Sequence, residues 1–191
     1  MIGVTGLILA GGLARRMGGG DKGLRMFRGK AMVAHVIERL APQVDTLLIN
    51  ANQNSETYAS LGYPVIADVI AGYAGPLAGL HAGLEVCTTP LLTTSPCDSP
   101  FLPLDLVAKL HTALEADAAQ LAVARSGGWT QPVFALCRRE VLESLSAFLD
   151  NGGRKVDAWY AGLKVVEVEF PDEAAFANIN TPEELERLED Q

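Results

Sequence analysis

The 191-residue chain has little of what binds nucleic acid, crosses a bilayer or staples a secreted fold. It carries 15 Lys and Arg against 23 Asp and Glu, a formal net charge of −8, so the large basic surface of a general nucleic-acid binder is missing. Its apolar segments are short and regularly broken, and none approaches the length that spans a bilayer. Met1 is followed directly by a strand-like run instead of a basic segment and an apolar signal core, so neither export nor membrane insertion is expected. The three cysteines, Cys87, Cys97 and Cys137, are widely spaced and form no Cys-x-x-Cys pair. That pattern argues against a disulfide framework or structural zinc and for the reducing cytoplasm. The three histidines, His35, His81 and His111, have no partners at metal-ligand or catalytic-triad spacing, so nucleophilic catalysis has no obvious apparatus.

What is present concentrates near the N-terminus. The apolar run Val4 to Leu9 empties into Leu9-Ala10-Gly11-Gly12-Leu13-Ala14-Arg15-Arg16-Met17-Gly18-Gly19-Gly20-Asp21-Lys22, with five glycines and three cations. Such a loop can wrap phosphates, because glycine backbone N–H groups approach an anion without a Cβ in the way while Arg and Lys supply the opposite charge. Residues 15–30 hold a local balance of +5, which leaves −13 for the remainder. A compact positive site on an acidic body suits a small polyanion.

The rest of the chain alternates. Met32, Val33, Val36, Ile37 and Leu40 recur at helical spacing, and Thr46 to Asn50 reads as a buried strand. A short helix near Glu56 to Leu61 and a strand over Pro64 to Asp68 follow. Pro76 opens a helix to Val86 whose Ala78, Gly79 and Gly83 would let it lie close on a sheet. Leu91 to Ser95 is the next strand, then a helix over Leu104 to Leu114 and strands over Gln120 to Ala124 and Pro132 to Leu136, the last pair allowing an antiparallel step. Glu140 to Leu149 and Arg154 to Tyr160 read as helices and Val165 to Phe170 as an edge strand. Thr181-Pro182-Glu183-Glu184 is a capping box that opens the last helix. The pattern predicts a single α/β domain, three-layered α/β/α, with a mostly parallel sheet.

In open sheets of this kind the ligand crevice lies outside the carboxyl ends of the strands. Four predicted strands end in Gly11-Gly12, Asn50, Asp68 and Asp98, which gathers polar and phosphate-compatible groups at one rim. Gly18-x-Gly20-x-x-Gly23 matches a dinucleotide pattern formally, but lies too far beyond its strand; Gly29-Lys30-Ala31 lacks the rest of a Walker A loop. The missing base is informative. An attacking phosphate is already anionic and needs only alignment and charge neutralisation. Asp98 is the best candidate to hold a magnesium ion shared with substrate phosphates, with Lys22 and Arg16 stabilising a leaving pyrophosphate.

Taken in order, Leu9-Ala10-Gly11-Gly12, Arg15-Arg16-Met17-Gly18-Gly19, Asp21-Lys22, Asn50-Ala51-Asn52, Gly75-Pro76-Leu77-Ala78-Gly79, Pro96-Cys97-Asp98 and Asn178-Ile179-Asn180-Thr181-Pro182-Glu183-Glu184 resemble the molybdenum cofactor guanylyltransferase family over essentially the whole chain. The resemblance implies a Rossmann-like nucleotidyltransferase domain over 1–191, its N-terminal half binding GTP and its C-terminal half the cofactor. It implies transfer of GMP from GTP to the terminal phosphate of molybdopterin-bound molybdenum, with Mg2+ as cofactor and pyrophosphate released. Leu9, Ala10, Gly11, Gly12, Lys22, Asn50, Asp68 and Asp98 would contact GTP, and Asp98 would also bind the metal. Gln131, Arg154, Lys155, Asn178 and Asn180 would supply donors to the pterin, with Trp129 as a stacking face. A cytoplasmic, monomeric enzyme is expected, with transient contacts to cofactor-synthesis proteins and acceptor molybdoenzymes and none to nucleic acid or membrane. The alternatives are a cytidylyltransferase on the same cofactor and a non-catalytic nucleotide- or cofactor-binding protein. By the pattern of these families, the second glycine at Gly12 goes with guanine.

Overall fold

The computed structural model describes residues 3–11, 21–70, 75–179 and 181–189. The run Val4–Leu9 forms β1 and is buried along almost its whole length. A 3-10 turn, Lys22–Leu24, leads to a small hairpin of Met26–Phe27 (β2) and Lys30–Ala31 (β3). Two-residue strands carry no hydrophobic period, so this hairpin has no sequence signal. Helix α1 spans Met32–Leu40 and buries the five residues whose spacing announced it. Strand β4 is Thr46–Asn50, helix α2 is Ser55–Ala59 and strand β5 is Val65–Ile66. β5 is shorter than its apolar run because only Val65 and Ile66 pair with β4. Helix α3 spans Pro76–Val86, with proline at its start, and strand β6 spans Leu91–Pro96.

Helix α4 (Leu106–Ala116) precedes strands β7 (Leu121–Ser126) and β8 (Trp129–Arg138). Gly127 and Gly128, at φ +59° and +81°, supply the two positive dihedrals of a tight hairpin turn, so β8 begins at Trp129 and not at Pro132. A register shift between Val123 and Ala124 absorbs Pro132, which has no N–H for a ladder. Helices α5 (Leu142–Asp150) and α6 (Val156–Tyr160), strand β9 (Val165–Glu169) and helix α7 (Pro182–Glu189) complete the chain. α6 starts two residues later than its sequence pattern suggests, since Lys155 is extended. The predicted capping box forms: Thr181 N–H donates to Glu184 Oε2 and Glu184 N–H to Thr181 Oγ1, each at 3.1 Å.

The seven-stranded sheet has the order β5-β4-β1-β6-β8-β7-β9. All pairings are parallel except the two made by β8. Ile8 and its neighbours pack with Val33 and Val36 of α1 and Leu106 and Leu110 of α4 on one face. Leu7 packs on the other with Leu77 and Leu84 of α3, Leu145 of α5 and Trp159 of α6. This is the expected three-layer arrangement, and it brings the carboxyl ends of β1, β4, β5 and β6 to one rim. Among the described residues no helix is long and apolar enough to cross a membrane.

Candidate active site at the strand ends

The ladder continues a step beyond the strands, with Ala10 N–H donating to the Asn50 carbonyl (2.8 Å) and Cys97 N–H to the Leu9 carbonyl (3.2 Å). Just past this point the side chains become polar. Asn50, 2% exposed, donates from Nδ2 to Asp68 Oδ1 at 2.9 Å. Asn52 donates to Asp68 Oδ2 at 2.8 Å, and its own Oδ1 accepts the Asp68 N–H at 2.9 Å. Two amides therefore fix one carboxylate while leaving it acceptor capacity for a ligand's N–H or O–H. Asn52 was not among the predicted contacts; its signal was the Asn50-x-Asn52 spacing at a strand end.

Two glycines make room for this group through close approach. A Cβ on Gly11 would lie 2.9 Å from Asn52 Nδ2, and one on Gly79 would lie 2.4 Å from Asn50 Oδ1 and 2.6 Å from Leu9 Cδ2. The small residues of α3 thus seat the helix on β1, as the sequence implied, and one of them also faces the polar rim.

A second cluster lies beyond β6. Asp98 is 7% exposed and accepts from Lys22 Nζ at 3.3 Å, so the structure joins two predicted catalytic residues 76 positions apart. The turn carrying Asp98 is tied down from the C-terminal segment. Ile179 N–H donates to the Asp98 carbonyl at 3.0 Å, and Ser99 Oγ donates to Asn178 Oδ1 at 2.5 Å. Ile179 is wholly buried with Phe27 and Met32, against Phe101, Leu185 and Leu188, and burying each such side chain is worth about 1.5–3 kcal/mol.

Cys97 stands next to Asp98. Burial first, then the Asp98 charge, pushes its thiol well above the ordinary range; burial pushes Cys137 up to about 12. Both therefore stay protonated and unreactive. Iodoacetamide in mildly alkaline solution is expected to leave Cys97 and Cys137 unmodified in the folded protein and to alkylate both in denaturant, read by mass spectrometry. Labelling of Cys97 at the free-thiol rate without unfolding would contradict the burial described.

The thiol's protonation also bears on metal binding, since the donor it leaves beside Asp98 is hard oxygen. Among the described residues no group of three or more His, Cys, Asp or Glu could hold a metal. A single carboxylate nevertheless fits magnesium, which keeps several waters and takes the rest of its ligands from substrate phosphates.

The remaining predicted residues are more scattered. Gln131 sits in β8 opposite Ala124, and Trp129 at the hairpin tip is 78% exposed. Arg154 Nη1 donates to the Leu149 and Gly153 carbonyls at 3.0 and 2.6 Å, which closes the carboxyl end of α5. Lys155 is exposed at the start of α6. Arg139 N–H meets the Pro90 carbonyl at one end of α5, and His81 of α3 meets Ser146 midway, so α5 runs antiparallel to α3 and ends on the rim side. Gly12, Arg16 and Asn180 lie outside the described residues.

Residues 6–165 match the MobA-like NTP transferase domain family. The chain is 54% identical over 187 residues to a molybdenum cofactor guanylyltransferase of Cupriavidus taiwanensis, covering 95% of this chain and 94% of that one. It is 52% identical over 194 residues to one of Ralstonia nicotianae, covering 97% and 95%. A crystal structure of molybdopterin-guanine dinucleotide biosynthesis protein A from Archaeoglobus fulgidus superposes with a TM-score of 0.80 at 24% identity, covering 97% of both chains. At that identity the last likeness concerns the fold.

Proposed function

The chain belongs to the molybdenum cofactor guanylyltransferases and is accordingly an enzyme that transfers GMP from GTP in the synthesis of that cofactor; from this premise we propose how its rim does so. The observation that carries the proposal is that two polar clusters, Asn50–Asn52–Asp68 and Lys22–Asp98, stand at the same rim, beyond the carboxyl ends of β4 and β5 on one side of β1 and of β6 on the other.

The backbone of Leu9, Ala10, Gly11 and Gly12 lies against guanine and ribose. The Asp68 carboxylate, held by two amides, accepts from base or ribose donors. Lys22 and Arg16 face the β- and γ-phosphates. Asp98 would hold Mg2+, which would supply charge neutralisation at the phosphate oxygens. Before GTP arrives, Lys22 and Asp98 offset each other's charge; with nucleotide present each turns to a ligand of opposite sign. The terminal phosphate of the molybdopterin acceptor then attacks the α-phosphorus. One P–O bond forms, the bond to the β-phosphate oxygen breaks, and pyrophosphate leaves without a general base.

On this reading residues 1–191 act as one domain. Its C-terminal half takes the pterin through Gln131, Arg154, Lys155, Asn178 and Asn180, with Trp129 as a stacking face. The enzyme is a cytoplasmic monomer that meets cofactor-synthesis proteins and acceptor molybdoenzymes transiently.

The test is incubation with Mg2+, molybdenum cofactor and α-labelled GTP or CTP. Label from GTP is expected in the cofactor with equal release of pyrophosphate. Preferential CMP transfer would overturn the choice of base, and absence of pyrophosphate release would indicate a binding protein.

A further inference from the structure

Lys22 opens a 3-10 turn of three residues, too short to fix its own orientation. Its anchor is the preceding Asp21. Asp21 Oδ1 accepts the Gly23 N–H at 3.1 Å, which caps the turn, and also the Tyr58 hydroxyl at 2.5 Å. Asp21 Oδ2 accepts Asn54 Nδ2 at 3.2 Å. Both donors come from α2 and the residue that precedes it: Asn54 sits at φ +52° and its carbonyl accepts the Tyr58 N–H at 3.0 Å. Tyr58 is wholly buried. Gly23 passes directly beneath its hydroxyl: a Cβ there would lie 2.5 Å from Tyr58 Oη and 3.1 Å from Cys97 Sγ.

These contacts form a chain from α2 through Asp21 to Lys22 and on to Asp98. We propose that Tyr58, acting through Asp21, is a positioning residue for Lys22: it fixes the ammonium group against Asp98 and the triphosphate. The inference rests on the reading of Lys22 as the cation for the β- and γ-phosphates. Burial, reinforced by neighbouring acidic groups, pushes the Tyr58 hydroxyl far above its usual range, so it keeps its proton to donate at neutral pH. A donor to a carboxylate makes one of the stronger hydrogen bonds. Nothing in the sequence announced the link, because Asp21 and Tyr58 are 37 residues apart.

The experiment compares Kd for GTP, which carries the phosphates that Lys22 would face, with Kd for GMP, which lacks them, in Mg2+. Tyr58→Phe keeps the ring and removes the donor, and is expected to weaken GTP about tenfold while leaving GMP unchanged. Asn54→Gly tolerates the positive φ and removes the second donor; it should shift the same ratio less. Lys22→Met should raise the ratio by itself. The double variant Tyr58→Phe with Lys22→Met should bind GTP no worse than Lys22→Met, since residues acting through one group are not additive.

Equal weakening of GTP and GMP by Tyr58→Phe would show a merely structural role and overturn the proposal. So would an unchanged ratio in Tyr58→Phe beside a raised ratio in Lys22→Met. If Lys22→Met leaves the ratio unchanged, the reading of Lys22 falls and the proposal falls with it. Should Tyr58→Phe fail to fold, Asn54→Gly carries the same comparison.

Discussion

Replacing Asp98 by asparagine is expected to lower kcat for guanylyl transfer by about 10²–10³-fold, the scale on which removing one preorganised charge-stabilising group acts, while leaving the fold intact. The substitution preserves volume, so no cavity opens at a residue that is 7% exposed. The hydrogen bond from Ile179 goes to the backbone carbonyl and survives. What disappears is the negative charge, which pairs with Lys22 and would draw a divalent cation; the amide oxygen that remains is a neutral, weaker ligand. Nucleotide affinity should separate from turnover. Without magnesium, GTP should bind at least as well as to the parent protein, because a negative charge near the phosphates is gone and Lys22 is released to meet them. Added magnesium should then strengthen binding less than it does in the parent. Initial-rate kinetics and titrations with and without the ion read both effects, and a variant with full activity would remove Asp98 from the reaction.

The second large effect is expected from Gly79→Ala, which should weaken GTP binding by at least about tenfold. In a helix interior alanine is favoured over glycine by about 0.8–1.0 kcal/mol, while overpacking a tight site costs about 1–3 kcal/mol. The net change in stability is therefore modest. The functional cost is larger, because the new Cβ would lie 2.4 Å from Asn50 Oδ1. Asn50 must move, and the hydrogen bond by which it holds Asp68 moves with it. Gly83→Ala, one turn on, is the control. Its Cβ would meet the terminal methyl groups of Leu7, at 2.5 and 3.3 Å, and Leu92 Cδ1 at 3.3 Å, so its three nearest neighbours are all apolar. It should lower the denaturation midpoint and leave GTP affinity alone. Equal GTP affinity in Gly79→Ala and the parent protein would show that the rim tolerates displacement of Asn50.

The strand ends were readable because a buried parallel strand is apolar until it leaves the sheet, so the first polar residue marks the rim. Asn50 and Asp68 announced themselves in this way, whereas Asp98 follows the buried hydroxyl residues Thr93, Thr94 and Ser95 of β6 and stood out as the first carboxylate beyond the strand. Met32 to Leu40 was readable from its spacing and the start of α7 from its cap. What sequence could not show was which rim groups touch. Asn52 lies in a loop with no periodicity, yet it holds Asp68 from two sides. Asp21 stood out only as the neighbour of Lys22 in a shared motif, and Tyr58 lay within a short predicted helix with nothing to join the two. Gly79 was legible as a packing glycine, but its contact with Asn50 was not. Asn178 was legible as a donor for the second substrate, but its bond with Ser99, through Oδ1, was not. Arg154 read as the start of a helix and instead closes the end of the one before.

The tie between the C-terminal segment and the Asp98 turn has a bearing on how the protein is made. Translation delivers β9, the last strand of the sheet, by Glu169. A nascent chain at that point has every strand and both amides around Asp68. It still lacks the hydrogen bonds from Ile179 to Asp98 and between Ser99 and Asn178, together with the apolar plug of Ile179, Leu185 and Leu188 on Phe27 and Met32. The surroundings of the Asp98 carboxylate are thus completed only by residues made after every strand of the sheet, and a chain cut short before residue 178 would lack that closure.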